Sequence, residues 1–212
     1  ANNFGMSVGE AAKLSNNVAG LAKASGMTVD ESAKLIGLFT ETQGLTGQQA
    51  EDLLLGTRQL AKANGVAPDK VLSDIASDTE TFARFSKDGG KNLLRAAVQA
   101  RKLGIDLASV AKSADSLLDF QGSLNAEIEA SILLGREVNL QKARELSLAD
   151  DIEGLQQEIL RVVGSEAEFN KMNRIQRDAL ASALGMEVSE IQKLVSRQKE
   201  QVTLQGEINR LT

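Results

Sequence analysis

Gly26-Met27-Thr28-Val29-Asp30-Glu31 is the stretch that decides the fold, because it carries the signals that end one helix and start the next. A glycine adopts the left-handed conformation that ends a helix, and the apolar residue after it can pack back onto that helix. Thr28 is a favourable N-cap, and Glu31 lies three residues later, where its side chain completes a capping box. The stretch predicts a tight corner between two helices.

Copies of this boundary recur along the chain. Close copies begin at Gly5 and Gly185, and weaker copies begin at Gly44, Gly65 and Gly104. From Gly5 to Gly65 the boundaries are 21, 18 and 21 residues apart. The pattern predicts short antiparallel helices joined by tight glycine corners, either as ordinary corners of a helical bundle or as a loosely solenoid-like repeat. At two of these copies, Glu10 and Gln49 are the expected capping-box partners. At the copy that begins at Gly65, Pro68 is expected at the first helical position.

Composition favours an all-α fold. The 212 residues are 42% hydrophobic but only 3% aromatic, with a single proline and neither Trp nor Tyr. Good helix formers dominate, and the β-branched and aromatic residues that strands prefer are sparse. The core must therefore consist of Leu, Ile, Val, Ala and Met, with six phenylalanines as the largest anchors.

Apolar spacing predicts which faces of the helices are buried. In the helix after Thr28, the residues Val29, Ala33, Ile36 and Phe39 fall on one stripe and are expected to face the core.

The second half of the chain predicts longer helices. Asp106 is expected to cap one long helix that ends near Gly135, with Leu117, Leu124 and Ile128 on its apolar stripe. Further helices are expected over 140–146, 150–163 and 173–184, with a short turn at 166–169.

The last helix, from about Glu187, shows a heptad pattern. Val188, Ile191, Val195 and Val202 occupy a and d positions and form the candidate oligomer interface, although the seam turns polar towards its end. This helix is predicted either to continue as a coiled coil or to be a surface helix.

Three parts follow from these patterns: an array of short helical hairpins over 1–104, a helical domain over 105–186, and a long terminal helix over 187–212. The chain begins at Ala1 without an initiator Met, and its helical pattern runs to the last residue. We therefore expect it to be part of a longer protein.

Charge and residue content argue against several classes of function. The net charge of −5 disfavours a protein that wraps nucleic acid, because neutralising phosphates requires surplus Lys and Arg. Without His or Cys, the common ligands of transition metals are absent, and no cofactor is predicted. No apolar run approaches the roughly 20 residues of a membrane span.

The carboxylates do not indicate an enzyme. Glu127 and Glu129 are two residues apart, so they point to different faces of a helix. Asp150-Asp151 more simply begins a helix, where negative charge is favourable. Phe169, close to Glu166 and Glu168, is interpreted as a hydrophobic anchor rather than a sugar platform.

Two further patterns favour structure over binding. Asp88-Gly89-Gly90-Lys91 lacks the spacing of a phosphate loop and predicts a helix break. The basic residues around it are interpreted as a solvated face: Arg84, Lys87, Lys91, Arg95, Arg101 and Lys102.

Four stretches between Leu117 and Val195 carry a resemblance to a known protein family. They are Leu118-Asp119-Phe120-Gln121-Gly122-Ser123-Leu124 with Glu127-Ile128-Glu129-Ala130; Leu133-Leu134-Gly135-Arg136-Glu137-Val138-Asn139-Leu140-Gln141-Lys142-Ala143-Arg144; Glu166-Ala167-Glu168-Phe169-Asn170-Lys171-Met172-Asn173 with Ile175-Gln176-Arg177-Asp178-Ala179-Leu180-Ala181; and Leu184-Gly185-Met186-Glu187-Val188-Ser189-Glu190-Ile191. These stretches resemble tail tape measure proteins of tailed bacteriophages, especially large contractile-tailed ones.

The resemblance implies a structural role without catalysis. Such proteins occupy the lumen of the tail tube as several parallel copies, often three, set tail length, contact the baseplate hub and leave the tail when DNA is ejected. It implies a homo-oligomer in the virion tail, made in the host cytoplasm, with tail tube and hub proteins as partners, no specific nucleic acid, and membrane contact only at ejection. Repeated glycine corners favour a compact folded part over the length-encoding rod. The alternative is a helical adaptor that docks partner helices in grooves.

Overall fold

The computed structural model describes residues 8–85 and 88–211, and its side chains over 9, 12–85 and 88–200. The described residues contain thirteen α-helices and one 3-10 turn, with no strand, so the all-α prediction is confirmed. They divide into two compact units, one up to Val98 and one from Gln99. The three-part division at 104/105 and 186/187 stays a prediction.

The first unit is built from six helices and the 3-10 turn. They are α1 (Val8–Ser25), α2 (Val29–Gln43), α3 (Gly47–Ala63), α4 (Pro68–Ser77), α5 (Thr79–Phe85), the 3-10 turn (Asp88–Gly90) and the start of α6 (Lys91–Lys102). Helices α1, α2 and α3 pack against one another, and α4 packs against α2 and α3. The rings of Phe39 and Phe82 meet edge to face at 4.5 Å in the core.

The links between the first helices are short and capped by side chains. Thr28 caps α2 and Thr46 caps α3, and each forms a reciprocal capping box with Glu31 or Gln49. Pro68 occupies the first turn of α4. Because these caps satisfy backbone N–H groups that a helix start leaves unpaired, consecutive helices can lie only three or four residues apart.

The buried stripe of α2 differs from the predicted one. Val29 is 61% exposed and Ala33 is also exposed, whereas Leu35 is buried together with Ile36 and Phe39. The prediction was wrong at the N-terminal end of the stripe, because α2 packs against three helices, α1, α3 and α4, which a single i, i+3, i+4 pattern does not describe.

The helix break predicted at Asp88–Gly90 is present. Gly89 and Gly90 have φ values of 69° and 80°. A Cβ on Gly90 would lie 2.7 Å from the Phe82 ring and 2.9 Å from the Phe39 ring. Only glycine fits this approach of the backbone to the aromatic pair.

The second unit contains the end of α6 and seven more helices. They are α7 (Leu107–Leu118), α8 (Phe120–Leu134), α9 (Gln141–Leu148), α10 (Ile152–Val163), α11 (Glu166–Lys171), α12 (Arg174–Leu184) and α13 (Val188–Leu211). Helix α7 packs against α8, α9, α10 and α12, so it forms the centre of this unit. Helix α13 packs against α10, α11 and α12.

The single long helix predicted from Asp106 to Gly135 is wrong. Asp106 does cap α7, accepting a bond of 2.9 Å from the backbone N–H of Ser109. The chain then breaks at Asp119, whose carboxylate accepts from the N–H of Gly122 and starts α8. An aspartate competes with helix continuation in this way because its short side chain can bond to backbone N–H groups ahead of it.

Candidate interaction surface on α8

Helix α8 carries a row of exposed apolar side chains, here called the outer row. It consists of Phe120, Leu124, Ile128 and Ile132, which are 51%, 45%, 59% and 73% exposed. Residues four apart lie on one side of a helix, so the four side chains form a continuous ridge about three turns long. The predicted burial of Leu124 and Ile128 is therefore wrong, whereas Leu117 is buried in α7 as expected.

The inward side of α8 carries a row of polar residues with the same spacing, here called the inner row: Ser123, Glu127 and Ser131. Ser123 is buried and accepts a 3.0 Å bond from Arg144 of α9. The Glu127 carboxylate lies 2.6 Å from the same guanidinium. Ser131 accepts from the backbone N–H of Val138 at 3.0 Å. The polar row is thus anchored to α9 and to the segment that precedes it.

Helix α12 supports α8 from another side. The Gln176 side chain donates a 3.0 Å bond to the carbonyl of Leu133, and Ala130 of α8 is fully buried. With Arg144 on one side and α12 on the other, α8 is held firmly while its outer row remains exposed.

This arrangement reverses ordinary helix amphipathicity. A helix of a folded domain normally turns its apolar stripe to the core and its polar residues to water. Helix α8 instead turns a polar row inward, with Ser123 buried and Glu127 and Ser131 half-buried, and exposes the four apolar residues of the outer row. A contiguous exposed apolar surface of this kind makes the outer row the candidate interaction surface of the described residues.

A second exposed row, here called the flanking row, runs beside the outer row. Gln121, Asn125 and Glu129 are exposed and each follows an outer-row residue in sequence. Between the two rows lies a groove that can receive a ridge from another helix. The predicted divergence of the two glutamates holds, since Glu127 faces inward and Glu129 outward.

A cleft of about 530 Å³ lies between α9, α10 and the segment before α9. Three of the basic side chains that line it, Arg136, Lys142 and Arg161, have intrachain partners. Buried Glu158 accepts two bonds of 2.9 Å from the Nε of Arg161 and lies 3.7 Å from the Lys142 ammonium. These bonds from Arg161 hold the pKa of Glu158 below its ordinary value. The Arg136 guanidinium donates to the carbonyl of Val162.

The acidic cluster around Phe169 is structural. Glu166 lies 2.9 Å from the Lys199 ammonium, and the bond from Lys199 lowers the pKa of Glu166. Glu168 completes a capping box with Ser165. Phe169 is fully buried, with the Arg177 guanidinium 5.3 Å from its ring centre, which matches its interpretation as an anchor.

The predicted oligomer interface on α13 lies partly in the core. Ile191 and Val195 are buried within the second unit, and Val188 is half-buried. The side chain of Val202 lies outside the described residues. In the part of α13 whose side chains are described, up to residue 200, the apolar residues of the heptad pattern therefore lie on a helix that packs against α10, α11 and α12.

The remaining predicted features have local partners. Asp151 caps α10 through the N–H of Gly154 at 2.9 Å. In the basic stretch, Arg95 lies 3.7 Å from Asp88, and Arg84 lies over the ring of Phe85. Lys87 lies outside the described residues.

Sequence reasoning missed the outer row because it treated every apolar stripe as core. A usable signal was present: the polar residues Ser123, Glu127 and Ser131 repeat every four positions along the helix. Among the described residues, no group of three or more acidic side chains is placed to hold a metal ion. No helix in the described ranges combines the length and apolarity needed to cross a membrane.

No protein-family model, curated protein or solved structure matches this chain.

Proposed function

We propose that this chain is a structural, non-enzymatic component of a bacteriophage tail, a folded helical part of a tape measure protein that acts through protein contacts. The observation that carries the proposal is the outer row, an apolar ridge on the side of α8 opposite to contacts that the inner row makes with Arg144 and Val138. Such a ridge suits protein assembly, and Lys142 and Arg161 of the cleft beside α9 are both paired with Glu158.

The resemblance and the surface support each other. The stretch from Leu118 to Ala130 contains Phe120, Leu124 and Ile128, and the stretch from Leu133 to Arg144 contains the guanidinium that anchors α8. The stretches that resemble tape measure proteins therefore include three of the four residues of the exposed ridge, together with Arg144, which supports it. In this role the segment sits in the tail tube lumen or at the baseplate hub and is released at DNA ejection.

Electron microscopy of particles from the encoding phage tests this role. The parent gene is altered by an in-frame deletion of the codons for this segment. Absent tails or tails of altered length are expected, and absent tails would assign the segment to initiation or anchoring of the tail. Tails of normal length on infectious particles would overturn the proposal.

The alternative function is a helical adaptor whose α8 ridge docks a partner helix. The same outer row favours it. A chain that stays monomeric at high concentration and binds an apolar helical peptide through Leu124 and Ile128 would support the adaptor. Normal tails in the deletion mutant would point the same way.

A further inference from the structure

We propose that the cleft between α9, α10 and the segment before α9 binds an extended, uncharged peptide segment of a partner chain by backbone pairing. The segment before α9 covers residues 136–140 and is here called the link. The inference goes beyond the proposed function, because it concerns a surface other than the outer row. It does not depend on the assignment to a phage tail.

The link has the alternation of an extended chain. Val138 and Leu140 are buried, whereas Glu137 and Asn139 are exposed. Successive side chains of an extended chain point to opposite sides in this way. The backbone of Val138 is bonded to α8, because its N–H donates to the Ser131 hydroxyl at 3.0 Å and its carbonyl accepts from that hydroxyl at 3.4 Å.

The backbone groups of Glu137 and Asn139 are unpaired. Within the described residues, neither the N–H nor the carbonyl of either residue has a hydrogen-bond partner. Backbone groups of successive residues in an extended chain point to opposite sides, so these groups point away from Ser131. Both residues line the cleft. Two residues spaced by two, with free donors and acceptors on one side, form the kind of edge to which an extended peptide adds.

This edge is preformed. The Arg136 guanidinium donates a 3.0 Å bond to the carbonyl of Val162, and the Asn139 side chain accepts a 3.0 Å bond from the N–H of Gln141. Together with buried Val138 and Leu140, these bonds fix the link on both sides of its free backbone groups. A fixed edge reduces the entropy that binding must cost.

The size of the cleft favours an extended peptide over a helix. Its volume is about 530 Å³. Strand spacings of about 4.8 Å and 10 Å, with a rise of about 3.3 Å, give an extended residue roughly 160 Å³, so the cleft holds about three residues. A helix about 10 Å across would fill the same volume with about one turn, too little for a stable helix contact. Three extended residues match the length of the free edge.

The charges around the cleft favour an uncharged peptide. Three basic side chains face three acidic ones in or beside it: Arg136, Lys142 and Arg161 against Glu137, Glu145 and Glu158. A charged peptide residue would give up its hydration at a site with no net counter-charge. The apolar residues of the lining are Val138 and Val162, which suit a small β-branched side chain.

Nuclear magnetic resonance of the whole chain labelled with ¹⁵N tests the site. The probe is a blocked five-residue peptide of alternating threonine and valine. We expect the amide signals of Glu137 and Asn139 to shift on titration, with a dissociation constant of about 1 mM or tighter. The same peptide N-methylated at its three central amides cannot donate and should bind at least about tenfold more weakly. Peptides with lysine or with glutamate in place of valine should both bind more weakly.

Two variants at one position separate backbone pairing from side-chain contact. Glu137→Pro removes an N–H that has no partner within the described residues, and the fixed φ of proline suits an extended chain. It should weaken binding of the threonine–valine peptide at least about fivefold. The matched control is Glu137→Ala, which keeps the N–H and should bind as the unmodified chain does. Circular dichroism establishes that both variants are folded.

Four results would overturn the proposal. They are unshifted Glu137 and Asn139 signals at several millimolar peptide, equal binding of the N-methylated peptide, equal binding by Glu137→Pro and Glu137→Ala, and tighter binding of either charged peptide. Should Glu137→Pro not fold, the N-methylated peptide decides alone. None of these results bears on the outer row, so the proposed function is tested separately.

Discussion

The guanidinium of Arg144 donates a 3.0 Å hydrogen bond to the hydroxyl of Ser123, which ties the polar side of α8 to α9. The same guanidinium is ion-paired with Glu127 one turn further along α8. Because Arg144 bonds to Ser123 and pairs with Glu127, that side of the helix is committed to the fold. The apolar outer row is left facing solvent as a consequence.

Replacing Arg144 should destabilise the second unit strongly. Arg144→Ala leaves the Glu127 carboxylate, whose side chain is only 18% exposed, without its counter-ion. Loss of one partner from a buried pair costs about 3–5 kcal/mol of unfolding free energy. Urea unfolding followed by circular dichroism measures the loss, because the chain lacks Trp and Tyr for fluorescence.

The control for that experiment is Arg174→Ala on α12. Arg174 is 93% exposed and lies 3.6 Å from Asp178, and a surface pair of this kind is worth about 0–1 kcal/mol. Equal losses for Arg144→Ala and Arg174→Ala would contradict the structural role of the Arg144 pair.

Two glycines at helix ends should differ in their tolerance of alanine. Gly185 and Gly135 have nearly equal φ values of 63° and 66°, but a Cβ on Gly185 would lie 2.4 Å from the Cβ of Ser116, whereas one on Gly135 meets nothing. Gly135→Ala should cost about 1–2 kcal/mol from the backbone alone. Gly185→Ala should cost a further 1–3 kcal/mol, roughly, from overpacking. Thermal unfolding of both variants measures the difference between their stability losses. Equal melting temperatures would refute the close approach of Gly185 to α7.

The Glu158–Arg161 pair should make part of the stability depend on pH. Since the folded-state pKa of Glu158 lies below its unfolded value, the ionised pair stabilises the fold at neutral pH, and this contribution disappears as the pH falls through the folded pKa. Glu158→Gln should therefore be less stable than the unmodified chain at pH 7, with the difference shrinking below about pH 4.5. Urea midpoints across pH 3–7 test this, and Arg161→Met should give the same narrowing. A difference that stays constant with pH would show that the variant acts through packing instead.

The helices were largely predictable because their signals are local. Capping boxes at Thr28 and Thr46 and the first-turn Pro68 depend on residues within one turn of each other. The break at Asp119 was missed because a weak cap signal competes with a continuous apolar pattern.

The candidate site was not predictable from periodicity alone. Leu124 and Ile128 have the spacing of a core stripe, but they are exposed. The side of α8 that faces the fold is instead the inner row, which contacts Arg144, a residue distant in sequence. In α13 the difference is in the other direction. Ile191 and Val195 have the spacing of an oligomer interface, but they are buried inside the second unit. Spacing identifies an apolar face but does not identify what covers it.

The most direct test of the central claim, that the outer row of α8 is the contact through which this segment assembles a tail, is electron microscopy of phage carrying Leu124→Gln/Ile128→Gln beside phage carrying Leu148→Gln. The account predicts missing tails or tails of altered length for the double variant and normal tails for the control. Normal, infectious tails in both would contradict it.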